Sequence, residues 1–251
     1  MTPQIPGYLL AFESTVRLFV VAIALALIWM GASRMEGSAQ SRYTTAGALS
    51  VALIAWLAVA QYVGSANMYF AATDVAVPTV LLGLLIPLII AAACLLLSGG
   101  VASLIAAIPL TWIVAAQVYR VGGGIFLVLW ADGRLPWQFA LPAGAGDVTT
   151  GCLAVVVAWQ LADKAADARR AAYVWCLFGI ADLVVALTMG ALTSPGRPHL
   201  FAFDAPNLLI SSYPLVMIPT FAVPLALMLH GIVLWRLRPE MASTGDRLAA
   251  G

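Results

Sequence analysis

Residues 75–98 read VAVPTVLLGLLIPLIIAAACLLLS and contain no charged side chain. A helix rises about 1.5 Å per residue, so it needs roughly 20 apolar residues to cross the hydrocarbon core of a bilayer. The run is continuously apolar and does not alternate with a period of two, which disfavours a membrane-spanning strand. The stretch therefore predicts a transmembrane helix.

Similar apolar runs lie on both sides of this one. They cover residues 15–32, 44–66, 101–121 (with a continuation as far as 130), 148–162, 171–193 and 208–237. The whole chain of 251 residues is 63% hydrophobic and 9% charged, whereas soluble domains average about 45–50% apolar and 25% charged residues. We therefore predict an all-α fold, a polytopic transmembrane helical bundle of about seven spans that forms a single domain over residues 1–251.

The charges predict an orientation and exclude one class of partner. A net charge of +1 provides no basic field for nucleic acid, so the lipid bilayer is the expected partner. Short cytoplasmic loops are enriched in Lys and Arg. One predicted face carries eight such residues and the other only four, which predicts an N-terminus outside and a cytoplasmic C-terminus. The eight are Arg34, Arg42, Lys164, Arg169, Arg170, Arg236, Arg238 and Arg247, and the four are Arg17, Arg120, Arg134 and Arg197.

Charged residues inside the predicted spans are candidates for function, because such residues usually face the bundle interior and pair. Glu13 and Arg17 are four residues apart and share a helix face, which predicts a supporting ion pair. Gln117 and Arg120 are three apart and also share a face, ahead of the triplet Gly122–Gly124. Asp182 lies near the middle of the sixth span, where it is expected to pair or to carry protons.

The fifth span is short for a membrane crossing, because only 15 residues separate Asp147 from Asp163. The preceding segment, residues 133–147, is rich in Gly and Pro but not hydrophilic. We therefore expect this segment to enter the outer leaflet as a non-helical loop, with Asp147 capping the fifth helix.

The seventh span adds polar groups at its start, namely Asn207, Ser212 and Tyr213, and prolines at positions 214, 219 and 224 that are expected to kink it. Most of these polar side chains fall in the predicted outer half, with Asp182 as a floor. They predict a polar pocket open to the outside that binds a small polar or amphiphilic ligand through Gln117, Arg120, Asp147, Asp182, Asn207, Ser212 and Tyr213.

Metal and cofactor chemistry is not expected. The two histidines, His199 and His230, are predicted near opposite membrane faces, so they cannot share an ion or a haem. The three cysteines lie singly in different spans and predict neither a disulfide nor a metal site.

Four stretches resemble one family of proteins. They are Gln117-Val-Tyr-Arg120, residues 135–147, residues 192–196 and residues 207–220 running on to His230. Together, over residues 101–234, they resemble a group of uncharacterised bacterial integral membrane proteins of similar length. The resemblance implies a multi-pass protein of the bacterial inner membrane and carries no activity.

Three functions remain open. In the first, the protein is a carrier or a sensor in which Arg120 anchors an anionic group of the ligand, while Asp147 and Asp182 balance charge or relay protons. In the second, it is an enzyme acting on a lipid-linked substrate, with Asp147 or Asp182 as general base. In the third, it is a structural or accessory subunit whose buried charges fix helix packing, with a protein partner or a second copy of the chain.

Overall fold

The computed structural model describes residues 4–69, 79–196 and 198–249, with side chains described as far as residue 238. The described chain is helical and contains no strand, as the composition predicts. In order, the helices are α1 (Gly7–Arg34), α2 (Ala39–Ser65), α3 (Thr79–Leu97), α4 (Gly99–Ala107), α5 (Leu110–Ala115), a 3-10 segment (Ala116–Gly124), α6 (Ile125–Ala131), α7 (Trp137–Ala162), α8 (Ala168–Thr193), a π segment (Ile218–Ala222) and α9 (Val223–Ala249).

Seven helical stretches of the described chain are long and apolar enough to cross a membrane. Five of them are α1, α2, α3, α7 and α8; the fourth span is Leu110–Ala131 and the seventh is Ile218–Arg238. Successive spans run in opposite directions. We call the end of the bundle where α1 begins the first end, and the opposite one the second end. At the first end Tyr8 donates a hydrogen bond of 3.0 Å to Asp132, which ties α1 to the turn between α6 and α7.

The fourth span begins later than the sequence predicts. Residues 99–107 form the separate short helix α4, because Pro109 has no N–H to continue the helix and disfavours helical geometry at Ile108. This helix packs against α1 and α2. Nη1 of Arg236 donates to the carbonyl oxygens of Ile105 and Ile108, at 3.2 and 2.9 Å, and so satisfies the end of α4.

The fifth span contradicts the predicted non-helical loop. The helix α7 starts at Trp137 and continues through Pro142, so Asp147 lies in its middle and is not a cap. Backbone surrounded by hydrocarbon has no water to bind, which favours continuous helix over the local preferences of Gly and Pro. The glycines serve packing, since a Cβ on Gly144 would lie 2.7 Å from Leu127 of α6.

The seventh span is shorter than predicted, and residues 208–216 are irregular. The π segment follows and carries Pro219, and α9 carries Pro224 in its first turn. Carbonyl oxygens of Ala222 and Ala226 accept hydrogen bonds from Tyr119 and Gln117 of the 3-10 segment. The first, second and sixth spans begin earlier than predicted, at Gly7, Ala39 and Ala168. The predicted start of the third span, residues 75–78, lies outside the described residues, as does Arg197.

Replacing Arg236 with Met should destabilise the contact between α4 and the seventh span. Two carbonyl groups would lose a charged donor, an effect of about 1.5–3 kcal/mol per hydrogen bond with a charged group. Thermal unfolding of the purified protein in detergent measures the loss. Arg238→Met, at an exposed position on the same helix, is the matched control, and equal melting temperatures for the two variants would contradict the assignment.

Candidate functional site

The guanidinium of Arg120 lies at the centre of a buried cluster. Its Nε donates to Oδ1 of Asp147 at 2.8 Å. Its Nη2 lies 2.7 Å from the same oxygen and also binds Oδ2 of Asp182. Its Nη1 faces the carbonyl oxygen of Gly179 at 3.2 Å and Nε2 of His230 at 3.3 Å. These contacts use all five N–H groups of the side chain.

The contact with Arg120 also defines the protonation of His230. A guanidinium can only donate, so Nε2 of the imidazole must accept and the ring is neutral, with its proton on Nδ1. That nitrogen lies 3.2 Å from Sγ of Cys176, whose thiol donates to the His230 carbonyl oxygen. His230 therefore completes the cluster as a neutral acceptor.

The cluster lies in the middle of the bundle, although its members come from four different spans. Arg120, Asp147, Asp182 and His230 are each separated from the first end by roughly 15–18 Å of helix. Taken as whole residues, each is at most 8% exposed. Groups that are far apart in sequence thus meet at one depth.

Glycines at the points of closest approach make the cluster sterically possible. A Cβ on Gly123 would collide with Asp147, and one on Gly146 would collide with Asp182. A Cβ on Gly151 would lie 2.7 Å from the backbone nitrogen of Val121. The 3-10 winding also contributes, because residues three apart eclipse each other in such a helix and so place Arg120 and Gly123 on one face.

Asp147 connects the cluster to two cavities. Its Oδ2 makes no hydrogen bond within the described residues, and its side chain is 12% exposed. A cavity of about 330 Å³ reaches it from α3, α8 and the irregular segment. A smaller cavity of about 60 Å³ reaches it from α1. The walls of the larger cavity are mostly apolar and include Leu84, Phe139 and Leu187.

A second set of polar side chains lies beside the smaller cavity. Nη1 of Arg17 lies 3.5 Å from Oε2 of Glu13, in the predicted pairing. Arg17 also donates to Oε1 of Gln61 in α2 and to Ser14. Gln61 in turn donates to the hydroxyl of Tyr213 at 2.7 Å. Tyr213 is therefore linked to Arg17 and not to Arg120.

The other predicted residues have local partners. Nε2 of Gln117 donates to the carbonyl oxygen of Ala226 at 3.2 Å, while its Oε1 is buried without a hydrogen bond among the described residues. Asn207 accepts from the backbone nitrogen of Ile210, and Ser212 donates to the carbonyl oxygen of Leu208. Asn207 and Ser212 thus stabilise the turn before the π segment and do not join the cluster.

The sequence does not predict two residues of these polar groups. They are His230, which contacts Arg120, and Gln61, which contacts Arg17. The predicted seventh span began ten residues too early, which put His230 in its inner half, whereas it lies near the middle of the actual span Ile218–Arg238. That depth, equal to that of Asp182, is the signal that identifies it. Gln61 is neutral and lies near the end of α2, so no sequence pattern distinguishes it from an interfacial residue.

Removing the central positive charge alone should destabilise the protein more than neutralising all three charged side chains of the cluster. Arg120→Gln would leave two buried carboxylates without a partner, which costs about 3–5 kcal/mol in buried ion pairs. Adding Asp147→Asn and Asp182→Asn to the same protein should recover most of that loss. Thermal unfolding measures both, with the exposed Arg134→Gln as control. Equal losses for the single and triple variants would refute the central role of Arg120.

The close contact between Gly179 and His230 predicts a difference in stability between two alanine variants. Alanine at Gly179 would place a Cβ 2.5 Å from Cε1 and Nε2 of His230 and so displace the imidazole from Arg120. Overpacking of this kind costs about 1–3 kcal/mol.

Gly231→Ala, beside His230 on the same helix, meets no atom within 4 Å and is the matched control. We expect a lower melting temperature for Gly179→Ala and no decrease in melting temperature for Gly231→Ala. A Gly179→Ala variant as stable as its control would show that the imidazole is not held in this position.

Comparison with known proteins identifies a family that matches most of the chain. The sequence profile of a family described as Domain of unknown function (DUF8737) matches residues 77–238. These residues contain Arg120, Asp147, Asp182 and His230 but neither Glu13 nor Arg17. No curated protein and no solved structure matches the chain.

Proposed function

Because the chain belongs to the DUF8737 family, which supplies no activity, we propose a function from the geometry of its own cavities. The protein binds an amphiphilic ligand in the larger cavity, with the apolar body of the ligand between α3 and α8. A cationic or hydrogen-bond-donating group of the ligand contacts Asp147. Two observations carry this proposal: Asp147 lines a mostly apolar cavity, and its Oδ2 makes no hydrogen bond within the described residues.

The size and lining of the larger cavity support a ligand of this kind. Binding sites for small molecules usually have volumes of about 300–1,000 Å³, apolar walls and few polar groups. The cavity of about 330 Å³ meets all three conditions, with Asp147 and Ser211 among its polar groups. An amphiphile would therefore bury its apolar part and present its polar end to the carboxylate.

The charge of the cluster determines whether the polar group of the ligand is cationic, neutral or anionic. The sequence suggested that Arg120 anchors an anionic group, but within the described residues its five N–H groups already have protein partners. The cluster contains two carboxylates and a single guanidinium beside a neutral imidazole. An additional anion would be repelled, whereas an ammonium group or a hydroxyl donor would find an acceptor at Asp147.

The role we propose is that of a carrier or a sensor in the bacterial inner membrane, with the first end of the bundle outside. The excess of Lys and Arg near the second end supports this orientation. Transport of the ligand into proteoliposomes would indicate a carrier, and binding without transport a sensor. A chemically altered product would instead favour an enzyme with Asp147 as general base.

Filling the larger cavity should weaken the binding of a cationic amphiphile. We expect dodecylamine to bind the protein in lipid nanodiscs and dodecanoate to bind more weakly, both measured as retained adducts by native mass spectrometry. Ala186 lines the cavity, so Ala186→Trp should weaken the binding of dodecylamine at least about tenfold, equivalent to about 1.4 kcal/mol.

Val185→Trp is the matched control, because Val185 is the adjacent residue on α8 and is exposed on the bundle surface. Asp147→Asn should remove the preference for the amine over the carboxylate. Equal binding of the two amphiphiles, or no difference between the two tryptophan variants, would contradict the proposal.

A further inference from the structure

The smaller cavity joins the two charged groups of the bundle. Glu13 and Arg17 of α1 line one side of it, and Arg120 and Asp147 line the other. Its volume of about 60 Å³ exceeds the roughly 10–15 Å³ that a single water molecule needs, so a short chain of water fits between the two carboxylates. The remaining wall, from α8, the π segment and α9, is apolar, with Leu183 and Phe221 among its residues.

Oε2 of Glu13 is a buried acceptor without a hydrogen bond, on a residue that lines this cavity. Glu13 is only 5% exposed, and this oxygen makes no hydrogen bond within the described residues. Arg17 is within ion-pair distance, but its N–H groups donate to Gln61 and Ser14. A buried carboxylate oxygen without a donor is costly, and binding a proton or donating water relieves that cost.

The charges around the cavity leave one negative charge in excess among the described residues. The titratable groups in its wall are Glu13 and Arg17 from α1, Tyr119 and Arg120 from the 3-10 segment and Asp147 from α7. Behind them, Asp182 and His230 contact Arg120. Tyr119 donates to the carbonyl oxygen of Ala222 and His230 is neutral, so three carboxylates face two guanidinium groups.

We propose that Glu13 binds a proton and exchanges it with Asp147 through water in the smaller cavity. In this transfer the O–H bond of the Glu13 carboxyl group breaks, and water in the cavity carries the proton to Oδ2 of Asp147. Glu13 is left as a carboxylate beside Arg17. Asp147 is the natural acceptor because its Oδ1 is bound to Arg120 while its Oδ2 is free within the described residues. The bundle thus holds a proton-binding site between α1 and α7.

Infrared spectroscopy of the purified protein tests this site without any added ligand. At neutral pH the wild-type protein should show a carboxylic-acid C=O band that disappears when the pH is raised. Labelling with ¹³C-glutamate, which requires no mutation, should shift that band. An absent band, or a band that the label leaves in place, would overturn the proposal.

Substitution gives a second, independent test. Glu13→Gln removes the excess negative charge, so we expect no remaining acid band in that variant. Glu36→Gln, at an exposed position after α1, is the matched control and should keep the band. If Glu13→Gln fails to fold, Glu13→Asp gives the test, because the acid band should remain while ¹³C-glutamate should no longer shift it.

The identity of the bound cation is tested by salt. At constant pH the acid band should be the same in sodium chloride and in choline chloride. Loss of the band in sodium alone would show that a metal cation takes the place of the proton and would overturn the assignment. The proton site and the ligand site can fail separately, since dodecylamine binding and the acid band are measured in different experiments.

Discussion

The fold depends on the complete use of one guanidinium. Arg120 contacts α7 through Asp147, α8 through Asp182 and the Gly179 carbonyl, and α9 through His230. Four of the seven spans are therefore held together at one depth by a single side chain. In a bilayer the apolar helix faces do not distinguish neighbouring helices from lipid, so polar contacts and close packing determine which helices associate.

This interaction requires a close approach of backbones. The 3-10 segment packs directly on α7, where the backbone of Val121 lies against Gly151. Glycines beside each carboxylate leave the space that the charges occupy. Charge and packing are thus coupled, since a methyl group at Gly123 or Gly146 would occupy the position of a carboxylate that Arg120 needs.

The sequence predicts the membrane class, the number of spans and most of their positions, because continuous apolar length is a local property. Asp147 and the segment before it show where local reasoning fails. Gly and Pro predict a loop in water, but helix is favoured where the backbone has no other partner. Pairing of Arg120 with Asp182 was foreseeable from their depth. Predicting the contact with His230 required the position at which the seventh span starts. That position depends on the tertiary contacts of residues 208–217.

The winding of the fourth span controls the position of its central charge. A 3-10 helix rises about 2.0 Å per residue and turns 120°, whereas an α-helix rises about 1.5 Å and turns 100°. Each residue of Ala116–Gly124 that changed from the 3-10 to the α form would shorten the span by about 0.5 Å and rotate the rest of the helix by about 20°. A change of winding in this segment would therefore couple a small axial movement of α6 to a rotation of α6 relative to Arg120.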